Sequence, residues 1–202
     1  MLKLLRPAMT RILTPLGRAL VRRGIGPNAV TAVGTLGTVV SALLLFPTDH
    51  LWWGSVAITV FVLFDLLDGV VARLGGGGGS TWGAFLDSTL DRVADAAIFA
   101  GLILYFAVQQ DHLMVGVTLF CLVTGAVVSY AKARAEGLGL TCDVGLAERP
   151  ERLVVVLVAA GFDGLGVPYI LAAGMWILAV ASAITVVQRV VHVYRQTQQP
   201  GE

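Results

Sequence analysis

Charge is scarce in this chain. Only 13% of its 202 residues are charged, 56% are apolar, and the mean hydropathy is +0.82. A soluble domain carries about 25% charged residues. A water-exposed globule is therefore excluded, and most side chains must face lipid or other helices. Cysteine is nearly absent too. Cys121 and Cys142 form no C-x-x-C, which excludes a disulfide framework and a zinc ribbon. The first residues lack a short apolar core with a small-residue cleavage site after it. Instead Arg6, Arg11, Arg18, Arg22 and Arg23 run through the whole segment, so a cleaved signal peptide is not expected. A net charge of +1 gives no reason to expect a nucleic-acid partner.

What is abundant is apolar sequence in long runs. Residues 2 to 23 repeat Leu2, Leu5, Met9, Ile12, Leu16 and Leu20 at helical spacing with arginines between them, the pattern of an amphipathic interfacial helix. Apolar runs then cover 29–46, 51–73, 83–108, 113–133, 153–162 and 169–187, the last continuing as helix towards Tyr194. Residues 153–162 are too short to cross alone. They cross if the helix begins near Glu148 and Arg152 snorkels to the interface. The expected architecture is all-α, with six transmembrane helices behind the N-terminal amphipathic one. It divides into a juxtamembrane segment at 1–28, a transmembrane catalytic domain at 29–195 and a frayed tail at 196–202. With six crossings, all 14 Lys and Arg residues lie on one side or at helix ends facing it, and the other side carries Asp49, Asp111 and Asp163. The positive-inside rule then places both termini in the cytoplasm, and the chain in the inner (cytoplasmic) membrane.

Four aspartates interrupt the apolar pattern. Asp65 and Asp68 are three apart and share a face of the second run; Asp87 and Asp91 are four apart and share a face of the third. The short glycine-rich loop at 74–82 makes these runs antiparallel neighbours, so the four carboxylates can meet near the cytoplasmic surface. Ionisable groups at membrane depth are costly and usually functional. Converging carboxylates need compensation, and divalent cations supply it. With no His or Cys beside them, these hard oxygen ligands suit magnesium rather than zinc. Two ions roughly 4 Å apart would neutralise a diphosphate and stabilise its leaving phosphate. Asp95, one turn beyond Asp91, is a candidate supporting residue or acceptor contact. Gly69 and Gly83 flank the aspartates, where a missing side chain serves either close ligand approach or helix packing. Arg73, at the cytoplasmic end of its helix, is placed to meet phosphate. The Gly75–Gly79 run lacks the Lys-Ser/Thr of a nucleotide loop and reads as linker.

The residues Asp65-Leu-Leu-Asp68-Gly69-Val-Val-Ala72-Arg73, then Gly83-Ala-Phe-Leu-Asp87-Ser-Thr-Leu-Asp91, closely resemble the signature of the CDP-alcohol phosphotransferases. The nine residues between Arg73 and Gly83 are one more than the usual pattern, and the extra one falls in the polyglycine loop, where insertion is cheap. The resemblance covers nearly the whole chain and is closest to the actinobacterial phosphatidylinositol phosphate synthases. Gly26-Pro27-Asn28-Ala-Val-Thr31 is similar to the family's nucleotide-side motif. Ser129 to Glu136, Glu148 to Arg152, and Gln188-Arg189 match stretches of that subgroup.

The resemblance implies a metal-dependent transferase. Its cofactor is magnesium, two ions, with manganese as the substitute, held by Asp65, Asp68, Asp87 and Asp91. Asn28, Thr31, Asp68, Gly69, Ala72, Arg73 and Gly83 bind CDP-diacylglycerol. Lys132, Arg152 and Arg189 hold the phosphate of inositol 1-phosphate, with Arg134 as a further acceptor contact. Asp91 is the general base, orienting the hydroxyl as much as removing its proton. CMP leaves, the product stays among membrane lipids, and the enzyme is a homodimer. Two other readings compete. A phosphatidylglycerophosphate synthase would use glycerol 3-phosphate with the same metals. An aspartate-lined transporter would move ions without releasing CMP.

Overall fold

The computed structural model describes residues 6–74 and 80–198; the side chains of residues 6–12, 65 and 66 are outside the described residues, as is Gly75–Gly79. Among the described residues the chain is all helix. The elements are α1 (Arg6–Arg22), α2 (Pro27–Leu45), α3 (Leu51–Leu74), α4 (Thr81–Val108), α5 (His112–Glu136), α6 (Arg149–Gly164) and α7 (Ile170–Gln198). Their packing divides the chain into two units, Met1–Gly101 and Leu102–Glu202.

Four helices are long and apolar enough to cross a membrane: α2, α3, α5 and α7. This is a membrane protein. The other two of the six expected spans fall short for separate reasons. α4 has the length but carries Asp87, Asp91, Arg92 and Asp95 in its first half. α6 has 16 residues, about 24 Å against a hydrocarbon core of about 30 Å. It begins at Arg149, capped by Glu148 with Pro150 in its first turn, close to the expected start. Arg152 does not snorkel, however. It is 2% exposed, buried within protein.

In the first unit α3 packs chiefly on α2 and α1. α2 is lined by small residues, which lets neighbouring backbones come close. A Cβ at Gly34 would lie 2.8 Å from the Cβ of Phe64, and one at Gly101 on α4 would overlap the Ala42 carbonyl of α2. α1 turns its apolar side inward: Leu13, Leu20 and Val21 pack on the core of Val30, Leu67 and Val71. Gly17 sits where a Cβ would meet Val70 at 2.8 Å. Of the expected interfacial face, Leu20 packs on this core, Leu16 is 50% exposed, and the side chains of Leu2, Leu5, Met9 and Ile12 lie outside the described residues. Gly24, at φ 73, ends α1 in the left-handed turn that lets Ile25 N donate to Leu20 O.

The second unit packs α7 against α5 and α6. Its polar connection lies between the end of α5 at Glu136 and the start of α6 at Arg149. α7 also outlasts the expected fraying point at residue 196. The side chain of Gln196 accepts from Thr141 N at 3.1 Å and donates to Thr141 O at 2.6 Å, tying the last turn to the α5–α6 connection.

Candidate active site

The carboxylates come from α3 and α4. Asp65 lies on α3 one turn before Asp68, and its side chain is outside the described residues. Asp68 is buried at 9% exposure, and its Oδ2 accepts the Thr31 hydroxyl at 2.5 Å. Asp87 is half-buried and has no hydrogen-bond or ion-pair partner among the described residues. Asp91 and Asp95 face Arg92, with N–O distances of 3.9 and 3.8 Å. No three His, Cys, Asp or Glu side chains among the described residues form a ready metal cage. Asp65 is outside that set. The donor set still fits a hard divalent cation: all carboxylate, with substrate phosphates able to complete the shell.

Direct α3–α4 pairing was expected from the short loop. Among the described residues, α2 contacts both helices. Its first turn meets α3 through Thr31 and Asp68. It meets α4 at Gly83, where a Cβ would lie 3.4 Å from Asn28 Oδ1 and 3.1 Å from Ser80 Oγ. Gly83 N also donates to Ser80 Oγ at 2.9 Å. Asn28, Thr31, Asp68 and Gly83 are therefore linked by contacts. Gly69 is different: a Cβ there would meet nothing within 4 Å. Helix packing does not explain this glycine, and open space beside Asp68 leaves room for a ligand. Ala72 is half-buried and Arg73 exposed in the last turn of α3, with no ion pair for Arg73 among the described residues.

The expected acceptor cations lie in the second unit, and each is engaged by the segment between α5 and α6. Lys132 Nζ pairs with Asp143 Oδ1 at 2.5 Å and stands 3.8 Å from Glu136. Arg152 Nη1 donates to Ala147 O at 3.2 Å. Its guanidinium lies over Gly125 of α5, where a Cβ would be 3.2 Å from Nε. Arg189 is 3% exposed. It donates through Nε to Val144 O at 2.9 Å, through Nη1 to Val128 O, and through Nη2 to Glu148 Oε1 at 3.2 Å. Gly145, at φ 144, lies against Thr185 of α7, whose hydroxyl accepts from Leu146 N and Ala147 N at 3.0 Å. Arg134 is exposed and joins none of these contacts. A cavity of about 400 Å³ near this segment is lined by Gln188, His192 and Arg195, but by none of the three cations.

Sequence reasoning missed Arg92, Asp143, Glu148 and Gly125. Arg92 had a usable signal in its i,i+3 spacing to Asp95. Asp143 had none, since its pairing depends on how a coil returns to α5.

Comparison with known proteins agrees with this geometry. The sequence model described as CDP-alcohol phosphatidyltransferase matches residues 25–194. The chain is 50% identical over 203 residues to the phosphatidylinositol phosphate synthase of Streptomyces avermitilis, covering 96% of this chain and 83% of that one. It is 52% identical over 186 residues to the synthase so named in Mycobacteroides abscessus, covering 91% and 84%. Among solved structures, the Mycobacterium tuberculosis phosphatidylinositol phosphate synthase with CDP-DAG bound superposes with a TM-score of 0.88 at 48% identity, covering 95% of this chain and 96% of that one. The same protein in complex with manganese and citrate also gives 0.88 at 48%, covering 94% and 90%.

Proposed function

Since the chain belongs to the CDP-alcohol phosphatidyltransferase family, we propose that it moves the phosphatidyl group of CDP-diacylglycerol onto inositol 1-phosphate, making phosphatidylinositol phosphate and CMP. The observation that carries this reading is the aspartate signature on α3 and α4, in a chain about half identical to synthases of that name over most of its length.

The roles follow the chemistry of the side chains. Asp65, Asp68, Asp87 and Asp91 hold divalent cations, magnesium or manganese, two in number. Bound there, the ions neutralise the donor diphosphate and the charge that develops on the departing CMP. Asn28, Thr31, Gly69, Ala72, Arg73 and Gly83 accommodate the donor, with Thr31 acting through Asp68. Lys132, Arg152 and Arg189 serve the acceptor phosphate, Lys132 being the most accessible of the three. Asp91 orients the acceptor hydroxyl and takes its proton as oxygen attacks the lipid-side phosphorus. The new P–O bond forms as the bond to CMP breaks. Asp95 and Arg92 brace Asp91 from its own helix.

We place α2 to α7 as six crossings of the inner membrane, with both termini and the catalytic residues cytoplasmic. The support is the one-sided distribution of Lys and Arg, the deepest being Arg92, which is paired with Asp91 and Asp95. α6 is short enough to require local thinning of the bilayer. By family resemblance the working form is a homodimer, and residues 29–195 form the catalytic domain.

The test is an acceptor comparison with purified protein, CDP-diacylglycerol and a divalent metal, reading CMP release. Inositol 1-phosphate should exceed glycerol 3-phosphate in kcat/KM by at least about tenfold. A preference for glycerol 3-phosphate would overturn the acceptor assignment. Metal-independent turnover would overturn the role of the aspartates.

A further inference from the structure

We propose that Asp143 is an exchangeable counter-ion of the acceptor subsite: its carboxylate holds Lys132 until the phosphate of an incoming acceptor takes the ammonium from it. The inference rests on the reading that Lys132 binds that phosphate.

One segment, 137–148, supplies oxygen atoms to all three cations assigned to the acceptor. The three attachments are not equivalent. Arg189 is buried and spends its donors on two backbone carbonyls and Glu148. Arg152 is buried beside Ala147 O. Removing a partner from such groups leaves a desolvated charge and is expensive. The Lys132–Asp143 pair is exposed by comparison, with side-chain exposures of 37% and 75%. Ion pairs of that kind cost little to break.

The backbone around Asp143 is pinned on both sides. Thr141 is bonded to Gln196, Cys142 is buried, and the Val144 carbonyl accepts from Arg189. Rotation of the Asp143 side chain alone can therefore release Lys132 while the segment keeps its grip on the two arginines. A phosphate monoester brings more negative charge than a carboxylate and three acceptor oxygens, so it wins the exchange. A carboxylate already on Lys132 lowers the affinity of every anion by the same factor. Only a ligand that makes further contacts recovers the loss.

The experiment uses the full-length enzyme and two neutral variants, Asp143→Asn and Asp143→Ser. In both, the KM for inositol 1-phosphate and the inhibition constant of inorganic phosphate should fall together, by about two- to fivefold. The change should fall on KM rather than kcat. Asp143→Glu should restore wild-type behaviour. In a Lys132→Ala background, which itself raises KM, Asp143→Asn should have no further effect. If Lys132→Ala raises KM but neither neutral variant lowers it, or if KM and the phosphate constant move by different factors, the exchange is wrong and the acceptor reading stands. If Lys132→Ala leaves KM unchanged, the acceptor reading itself fails.

Discussion

The two units treat their charges in opposite ways. In the first, Asp87 has no partner among the described residues, and Asp68 has a neutral hydroxyl on one oxygen. In the second, Lys132, Arg152 and Arg189 are each engaged by the chain's own carboxylates or carbonyls. On the proposed function, Asp87 waits for a cation the protein must acquire, while Asp91 and Asp95 already share Arg92. The three cations of the second unit hold the fold and would meet a substrate by sharing or exchange. A charge near a helix end thus has two physical meanings, and its partners separate them. The same change of charge should damage catalysis in one unit and stability in the other.

The largest effect is expected from Asp87→Asn. Losing a metal ligand removes several kcal/mol of charge stabilisation, so CMP release should drop at least about a thousandfold. Because Asp87 is half-buried without a partner among the described residues, the metal-free variant should unfold within about 0.5 kcal/mol of wild type. The check pairs turnover with thermal unfolding in chelator. A metal-free variant that melts early would mean Asp87 is structural, and the contrast between the units would collapse.

Arg189→Met tests the other side. It leaves Glu148 without its cation and strips donors from the Val144 and Val128 carbonyls. Glu148, 41% exposed, can return to water, so the cost lies in the lost buried donors, about 1–3 kcal/mol, read as a lower melting temperature before any substrate is added. Arg189→Lys should recover little of it, since one ammonium cannot reproduce the guanidinium fork. Normal melting with lost acceptor use would make Arg189 a ligand-only residue and break the comparison from the opposite direction.

What the sequence revealed was local. Spacings of three and four put Asp65 with Asp68 and Asp87 with Asp91 on shared helix faces, and apolar runs located six of the seven helices. The short α6 was found from its apolar run at 153–162, extended back to near Glu148 so that it could cross, and it starts at Arg149. Partnerships between distant segments were not legible. Thr31 and Asp68 are 37 residues apart, and Arg189 and Glu148 are 41 apart. No periodicity links such pairs, because each depends on how whole helices pack. The resemblance marked the start of α2 as a nucleotide-side motif, but that its first turn lies against both Asp68 and Gly83 shows only in the fold. Gly69 was given to the donor by resemblance; its residue type alone left ligand approach and packing open, and the space beside it speaks against packing.

The smallest effect should come from Thr31→Val, which removes a hydroxyl at nearly constant shape. Thr31 Oγ1 lies 2.5 Å from Asp68 Oδ2 and 3.1 Å from Pro27 O, yet it has one hydrogen to give. The shorter, charge-assisted bond takes it, so the hydroxyl fixes the direction of the buried carboxylate. Partners that orient a ligand in this way are worth about 10- to 100-fold in metal affinity. Thr31 is a single neutral donor, so the lower end applies: about tenfold weaker manganese binding by direct titration, with turnover recovering as metal is raised. Thr31→Ser should keep wild-type affinity. If Thr31→Val binds manganese normally but needs more CDP-diacylglycerol, Thr31 serves the donor directly and does not aim Asp68.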